Sequence, residues 1–159
     1  MTLDELSDKI TSKKYSNIPM HARPRKVYRA NSANELTKAI LAYFELKGIK
    51  AWRQASEGRY LMGRSYHDLN GRVRQEKGMY IPRFKGGKGA GDITATIPPY
   101  GRRLEIEIKW GKDRLSEAQK EFKEEIESMG AVYMVTKTWE DFIFQIEKIL
   151  NQQPLRIIS

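Results

Sequence analysis

The fold is decided by the stretch GDITATIPPYGRRLEIEIK, which occupies residues 91–109. Apolar and polar residues alternate on both sides of its Pro-Pro-Tyr-Gly segment, and this pattern predicts two strands, 92–97 and 103–109, joined by a turn. Successive side chains of a strand point to opposite faces, so the second strand turns an aliphatic set into the core: Leu104, Ile106 and Ile108. A polar set shares the opposite face: Glu105, Glu107 and Lys109.

The polar face and the start of the first strand together predict a site for a divalent metal ion and a phosphate group. Asp92 follows a glycine-rich loop and opens the strand that is expected to pair with the strand of Glu107. Magnesium prefers hard oxygen ligands, which these two carboxylates and the backbone carbonyl of Ile108 can supply. Lys109, on the same face as Glu107, would stabilise a hydroxide or the charge that develops on a phosphate.

The same strand permits a plainer interpretation. Glutamate and lysine are common on solvated strand faces, so an ordinary exposed hairpin is the alternative to a site. Glu105 also shares the face, but it stands about 7 Å from Glu107 along the strand. The spacing between Glu107 and Lys109 therefore favours Glu107 as the ligand.

The rest of the chain predicts an α/β domain with a mixed central sheet flanked by helices, in the order α-β-β-β-α-β-α. Two segments have the form of a capping box, Ser32-Ala33-Asn34-Glu35 and Ser116-Glu117-Ala118-Gln119, and each precedes apolar residues at helical spacing. Glycines at positions 48 and 130 end these helices. Further strands are predicted at 49–54 and 131–136, and a last helix at 139–150.

Residues 32–159 are therefore expected to form a single domain. A basic N-terminal arm over residues 1–31 precedes it, with at most a short helix near Leu3 to Ile10, and the sequence leaves open whether this arm is ordered. A basic insertion at about 57–90 interrupts the domain. Within it, Asn70-Gly71 predicts a hairpin turn between the segment 60–62 and Val73. Such a long irregular stretch inside a compact domain is usually functional or mobile.

The chain carries a net charge of +9 and has a pI of about 9.7. Residues 47–90 hold eleven Lys and Arg against three Asp and Glu, whereas residues 91–159 hold ten against twelve. Glycines and aromatics are interleaved with the charges of the middle segment, which favours contact with a nucleic-acid backbone over an ordinary solvated surface. The candidate DNA-binding residues are Arg53, Ser56, Arg59, Arg64, Arg72, Arg74, Lys85, Lys88, Lys112 and Arg114. Ser56 could equally be an ordinary turn residue.

Composition excludes several kinds of site. The chain has no cysteine, so disulfide frameworks, thiolate zinc sites and thiol nucleophiles are absent. Two histidines, His21 and His67, are too few for a histidine-rich metal centre. No apolar stretch approaches the roughly 18 residues of a membrane span, and the first residues lack the apolar block of a signal peptide. We expect a cytoplasmic protein with no membrane partner and no small-molecule cofactor.

These motifs resemble those of the PD-(D/E)XK nuclease superfamily, and within it the VRR-NUC family and the related archaeal-type Holliday junction resolvases. The similarity covers most of residues 32–137 and rests on five places: Glu35, 48–58, 91–93, 104–109 and 114–119. The resemblance implies a restriction-endonuclease-like core, phosphodiester cleavage that depends on Mg²⁺ or Mn²⁺, and DNA as the substrate.

The resemblance also implies a role for each site residue. Asp92 and Glu107 would bind the metal, and Lys109 would be catalytic. Glu35 would help to bind or orient the metal water, and Gln119 would support the site from its helix. Glu35 and Gln119 both occupy the third position of a capping box, so capping alone is the alternative for these two residues.

The function implied by the resemblance is a structure-specific endonuclease that cuts Holliday junctions or other branched DNA in repair or recombination. Small proteins of this type are typical of phages and other mobile elements, and a homodimer is expected because one small site cuts one strand. A nickase or restriction-like nuclease of a replication or packaging machine is a second interpretation. A DNA-binding module without catalysis is a third. Gly91 replaces the proline often found before the first acid, and the basic insertion exceeds the minimal core, which leaves the substrate open.

Overall fold

The computed structural model describes residues 1–54, 59–81 and 89–151. The chain divides into two compact units: a core unit, Met1–Gln54 with Gly89–Ser159, and an inserted unit, Ala55–Lys88. The helices are α1 (Leu3–Lys14), α2 (Ala33–Lys47), α3 (Glu117–Ser128) and α4 (Trp139–Asn151), with a short 3₁₀ turn at Met20–Ala22. The strands are β1 (Lys50–Arg53), β2 (Arg59–Leu61), β3 (Ser65–His67), β4 (Val73–Gln75), β5 (Met79–Ile81), β6 (Ile93–Ile97), β7 (Arg102–Ile108) and β8 (Val132–Thr136).

The core unit contains one mixed four-stranded sheet in the order β1-β6-β7-β8. β1, β6 and β7 are antiparallel neighbours, whereas β7 and β8 run parallel because α3 carries the chain back between them. Apart from α1 and the inserted strands, the elements follow the predicted order α-β-β-β-α-β-α. The prediction of a mixed α/β domain is therefore confirmed. None of the helices in the described residues is long and apolar enough to cross a membrane.

The two faces of this sheet bury different residues. On one face, the aliphatic side chains of β6 and β7 lie in a core with α2 and α4, and Ile93, Leu104 and Ile106 are fully buried. Phe142 of α4 packs edge-on against Tyr43 of α2, with ring centroids 5.3 Å apart. On the other face, α3 contacts β8. Alternation on β7 thus separates an aliphatic face from the face that carries the acidic residues.

The N-terminal residues belong to the core unit, which differs from the separate arm expected over residues 1–31. Thr2 and Glu5 form a capping box that starts α1, and Leu6 is fully buried in the core. Trp139 of α4 donates its indole N–H to the carbonyl of Met1 at 3.0 Å. The bond between Trp139 and Met1 joins positions 138 apart in the sequence, which local patterns do not reveal.

The described strands of the inserted unit form two short antiparallel ladders, β2 with β5 and β3 with β4, which together make a ribbon of two chain segments. The predicted turn at Asn70-Gly71 lies between β3 and β4, and Gly71 adopts a positive φ of 72°. Val73 pairs with His67, however, and not with the segment 60–62, because β2 pairs with β5 further from the turn. The predicted turn position is right and the predicted strand partner of Val73 is wrong.

Candidate active site

Asp92 and Glu107 lie side by side on neighbouring strands. Ile93 pairs with Ile106 in the β6–β7 ladder, so the next step of the same register places Asp92 opposite Glu107. One oxygen of the Asp92 carboxylate, Oδ2, accepts a hydrogen bond of 2.9 Å from the backbone N–H of Ile108. The Asp92 carbonyl accepts the backbone N–H of Gln54 at 2.7 Å. Backbone groups from both neighbouring strands thus fix the position of Asp92.

Lys109 and Gln119 complete a compact polar group around Glu107. Nζ of Lys109 lies 2.9 Å from Oε1 of Glu107, and only 12% and 7% of these two side chains are exposed. The Gln119 side-chain amide donates to the same Oε1 at 2.6 Å. The Gln119 carbonyl oxygen in turn accepts from Nζ of Lys109 at 2.9 Å. Glu107 of β7, Lys109 just after β7 and Gln119 of α3 therefore each contact the other two.

Gln119 caps its helix and contacts the site at the same time. Its Oε1 accepts the backbone N–H of Ser116 at 3.0 Å, and the Ser116 hydroxyl oxygen accepts the backbone N–H of Gln119 at 3.3 Å. The capping box fixes the first turn of α3, and this turn carries the amide to Glu107. The two interpretations of Gln119 are therefore compatible in the structure.

The electrostatics of Glu107 are those of a partly desolvated acid beside a second acid. Burial raises the pKa of Glu107 above its ordinary value, and the negative charge of Asp92 raises it further. The contacts from Lys109 and Gln119 oppose this rise without cancelling it. A cation that contacted both carboxylates would relieve the same repulsion.

Glu105 is the centre of a second buried network on the same face. The residue is fully buried, and its Oε1 accepts bonds from the Thr94 hydroxyl at 2.8 Å and from the Arg103 guanidinium at 2.7 and 2.9 Å. Its other oxygen, Oε2, accepts the backbone N–H of Gly91 at 3.2 Å. Thr94 is the cross-strand partner of Glu105, and it also accepts from the side chain of Gln54 at 2.6 Å. Glu105 therefore fixes the residue that precedes Asp92, and both of its oxygens already accept hydrogen bonds.

Gly91 lies too close to β7 for a side chain. A Cβ at this position would stand 2.7 Å from the carbonyl oxygen of Ile106, whose backbone cannot easily move. The N–H that Gly91 donates to Glu105 is a group that proline lacks. The structure thus gives a physical reason for glycine at the position where the resembled family often has proline.

Tyr133 on β8 is a neutral donor at the edge of this acidic face. Its hydroxyl lies 3.4 Å from the carbonyl oxygen of Gly89, and its ring packs edge-on against Phe122 of α3. Burial raises its pKa, and three neighbouring negative charges raise it further: Glu107, Glu105 and Asp92. Tyr133 is not evident as a site residue from the sequence, because it lies within an apolar run that predicts only a buried strand.

Glu35 does not take part in the hydrogen bonds of the site. Its carboxylate accepts the backbone N–H of Asn31 at 3.0 Å, and its own N–H donates to the Ser32 hydroxyl at 3.2 Å. The acid therefore stabilises the start of α2 through the residue before Ser32. Within residues 1–54, 59–81 and 89–151, no group of three or more histidine, aspartate or glutamate side chains is placed to hold a metal ion. Asp92 and Glu107 are thus a pair of carboxylates without a third.

The candidate DNA-binding residues fall into separate places. Lys112 and Arg114 are exposed in the loop that joins Lys109 to α3. Arg53 is exposed at the end of β1, where its guanidinium donates to the side-chain oxygen of Asn34 at 3.0 Å. The inserted unit carries Arg59, Arg64, Arg72 and Arg74 on its strands and turn. Ser56, Lys85 and Lys88 lie outside the described residues.

The sequence matches no protein-family model and no curated protein.

Proposed function

We propose that this protein is a divalent-metal-dependent DNA endonuclease of the PD-(D/E)XK type, with a restriction-endonuclease-like core. One observation carries the proposal: Asp92, directly before β6, bonds to β7 at Ile108 beside Glu107, with the ammonium of Lys109 2.9 Å from Glu107. Two carboxylates and a lysine, largely withdrawn from water, are the groups that metal-assisted hydrolysis of a phosphodiester requires. An exposed hairpin would leave Glu107 and Lys109 solvated, and both are largely buried.

The residues present fit Mg²⁺ or Mn²⁺. Asp92 uses Oδ2 for the Ile108 N–H, and Glu107 uses Oε1 for Lys109 and Gln119. The second oxygen of each carboxylate accepts no hydrogen bond from the described residues, so two hard oxygen ligands are available side by side. When bound, such an ion would supply an activated water and neutralise charge on the scissile phosphate.

The protein side chains would then position and protect the reacting groups. Asp92 and Glu107 would hold the ion, and the backbone bonds to Ile108 and Gln54 keep Asp92 in place. Lys109 would stabilise the negative charge that develops on the phosphate, because its ammonium is held at the carboxylates by Glu107 and Gln119. The loop that follows Lys109 presents Lys112 and Arg114, which would contact the flanking phosphates.

Branched DNA is the substrate class that the resemblance implies, and a homodimer is the assembly that would cut two strands. The test incubates the protein with a four-way junction, a flap and a linear duplex, with Mg²⁺, with Mn²⁺ and with EDTA. We expect metal-dependent cleavage of branched substrates by wild type and its loss, by at least a hundredfold, in Asp92→Asn. Size-exclusion chromatography of the protein with a junction tests the dimer.

Asp113→Asn is the matched control. Asp113 is an exposed acid in the loop between β7 and α3, so its substitution removes the same charge from the same region without touching the carboxylate pair. Cleavage that survives in Asp92→Asn, or that falls equally in both variants, contradicts the site. Equal cleavage of all three substrates by a monomer contradicts the preference for branched DNA.

A further inference from the structure

None of the side chains that the structure describes in the inserted unit is buried. Among its described side chains, Tyr60, Tyr66 and Val73 are 58%, 50% and 65% exposed. Two isolated strands are at best marginally stable in water, because they bury little apolar surface. A ribbon of this kind is therefore suited to contact a partner along its length.

The two ladders of the ribbon share one register. Leu61 pairs with Met79, and six residues nearer the turn His67 pairs with Val73 on the opposite strand. Three residues on each strand, 62–64 and 76–78, separate the ladders, and Glu76 donates its N–H to the carbonyl of Arg64 between them. Since the register is continuous, alternation assigns every side chain to one of two faces from end to end.

One of these faces carries Tyr60, Tyr66 and three arginines, together with two acids, Asp68 and Glu76, the latter directly opposite Arg64. Tyr66 pairs directly with Arg74, and Arg64 and Arg72 lie two positions away on the same face. Arg74 is held by Asp68 at 3.0 Å, and Asp68 also accepts the backbone N–H groups of Asn70 and Arg72. Arg64 and Arg72 are exposed, and neither forms an ion pair with an acidic residue of the described chain. Arg74 thus stabilises the turn, while Arg64 and Arg72 are available to a partner.

The dimensions of the ribbon match a groove of duplex DNA. Each side of the ribbon spans nine residues, Arg59 to His67 and Val73 to Ile81, which is at most about 30 Å at about 3.3 Å per residue. This length is close to one turn of B-form DNA, about 34 Å. The major groove is about 12 Å wide and admits a two-stranded ribbon directly, whereas the minor groove, at about 6 Å, has to be widened by bending of the duplex to do so.

We infer that the ribbon lies in the major groove of duplex DNA with its arginine face inward, so that Arg64 and Arg72 contact phosphates or guanine edges and Tyr66 packs against the bases. The inference rests on the proposed function only in taking DNA as the partner. It assigns the inserted unit to duplex arms of the substrate and not to a displaced single strand. Arginine is the residue that most often reads guanine in this groove.

The experiment measures binding without cleavage. Fluorescence anisotropy in EDTA gives the affinity for a labelled linear duplex over a range of salt concentrations, for wild type, Arg64→Ala, Arg72→Ala and Lys77→Ala. Lys77 is the matched control, because it is exposed on the opposite face of the same ribbon. We expect each arginine variant to bind about five- to a hundredfold more weakly, and a lost phosphate contact to lower the salt slope by about one. Lys77→Ala should change the affinity less than twofold.

Groove ligands and single strands complete the test. Methyl green, which occupies the major groove, should displace wild type, and netropsin, which occupies the minor groove, should not. Three results would overturn the inference. The first is an equal loss of duplex affinity in Lys77→Ala and in the arginine variants. The others are displacement of wild type by netropsin alone and no binding of wild type to duplex. Equal binding to a single-stranded oligonucleotide, weakened equally by the arginine variants, would overturn it in favour of strand holding. Binding is measured in EDTA and does not depend on cleavage, so the two proposals can fail separately. A protein that binds duplex through this face but cuts no DNA with Mg²⁺ or Mn²⁺ would contradict the proposed function and leave the ribbon assignment standing.

Discussion

The side-chain amide of Gln119 donates to the carboxylate of Glu107 at 2.6 Å, from a residue that also caps its own helix. A capping box accepts glutamate or glutamine at this position. Only glutamine can donate to Glu107 while accepting from Lys109. The choice of glutamine is thus explained by the site and not by the cap.

Gln119→Glu should separate the two roles. The variant keeps an acceptor for the Ser116 N–H, but it sets a carboxylate oxygen against the Glu107 oxygen that the amide contacts, so we expect the free energy of unfolding to fall by about 1–3 kcal/mol. It places a third negative charge beside Asp92 and Glu107, and we expect the cleavage rate to fall about tenfold or more. Ser116→Ala is the control, since it removes part of the cap, at a cost of about 1 kcal/mol, and leaves the amide. Urea unfolding and single-turnover rates measure both; a wild-type rate in Gln119→Glu would show that the contact with Glu107 is only structural.

Glu105→Gln should weaken the support of Asp92. The carboxylate accepts donors at both oxygens, and an amide would turn its NH₂ group towards one of them, either Gly91 or the Thr94–Arg103 pair. A buried donor left facing a donor costs about 1–3 kcal/mol of unfolding free energy. We expect that loss in urea titrations, together with a lower cleavage rate at saturating metal. Unchanged stability would contradict the network, and Glu117→Gln, at a side chain that is 82% exposed, is the control.

Divalent metal should stabilise the wild-type fold. A ligand that binds only the folded state at a hundred times its dissociation constant adds about 2.7 kcal/mol. For a chain of this size that shift raises the Tm by about 5–10 °C. Differential scanning calorimetry with Mg²⁺ and with EDTA should show the increase in wild type and not in Asp92→Asn. An equal increase in both proteins would place the metal elsewhere.

The raised pKa of Glu107 has a consequence for stability in the absence of metal. The ordinary pKa is 4.5, and burial followed by the charge of Asp92 raises it in the folded state. The folded protein therefore binds this proton more tightly than the unfolded chain, so stability falls as pH rises from 4.5 through the folded-state pKa. Glu107→Gln keeps the shape without the charge, and we expect it to be more stable than wild type at pH 7.5 in EDTA.

At pH 4 the difference between these two proteins should shrink, because Glu107 is then largely protonated in both states of the wild type. Urea titrations at the two pH values measure it. A variant that is less stable than wild type at pH 7.5 would show that the bonds from Lys109 and Gln119 outweigh the desolvation of the carboxylate.

Features that depend on neighbouring residues were predictable from the sequence. The capping serines start α2 and α3 as expected, and alternation along β7 separates Glu107 and Lys109 from the aliphatic core. These predictions succeed because helix caps and strand faces are set by residues within a few positions of each other.

Features that depend on strand register or distant packing were not predictable. The sequence pattern places Glu105 on the same polar strand face as Glu107. In the structure it is buried, because it pairs with Thr94 across the strands and accepts hydrogen bonds from Thr94 and Arg103. Residues of the arm expected over 1–31 belong instead to the core unit: Leu6 is part of the hydrophobic core and α1 contacts α2. Hydrophobic burial is non-directional, so a single amphipathic helix does not reveal which surface receives it.

Because the two ladders share one register, deletions of residue pairs can change the length of the ribbon and the face on which its side chains lie without changing which residues remain near the turn. Removing one paired residue from each strand, such as Ser65 with Gln75, would keep the strands aligned but rotate everything nearer the turn to the opposite face. Removing two pairs would restore the faces and shorten the reach by about 7 Å, or roughly two base pairs. Natural variation in this segment should accordingly proceed in steps of two pairs.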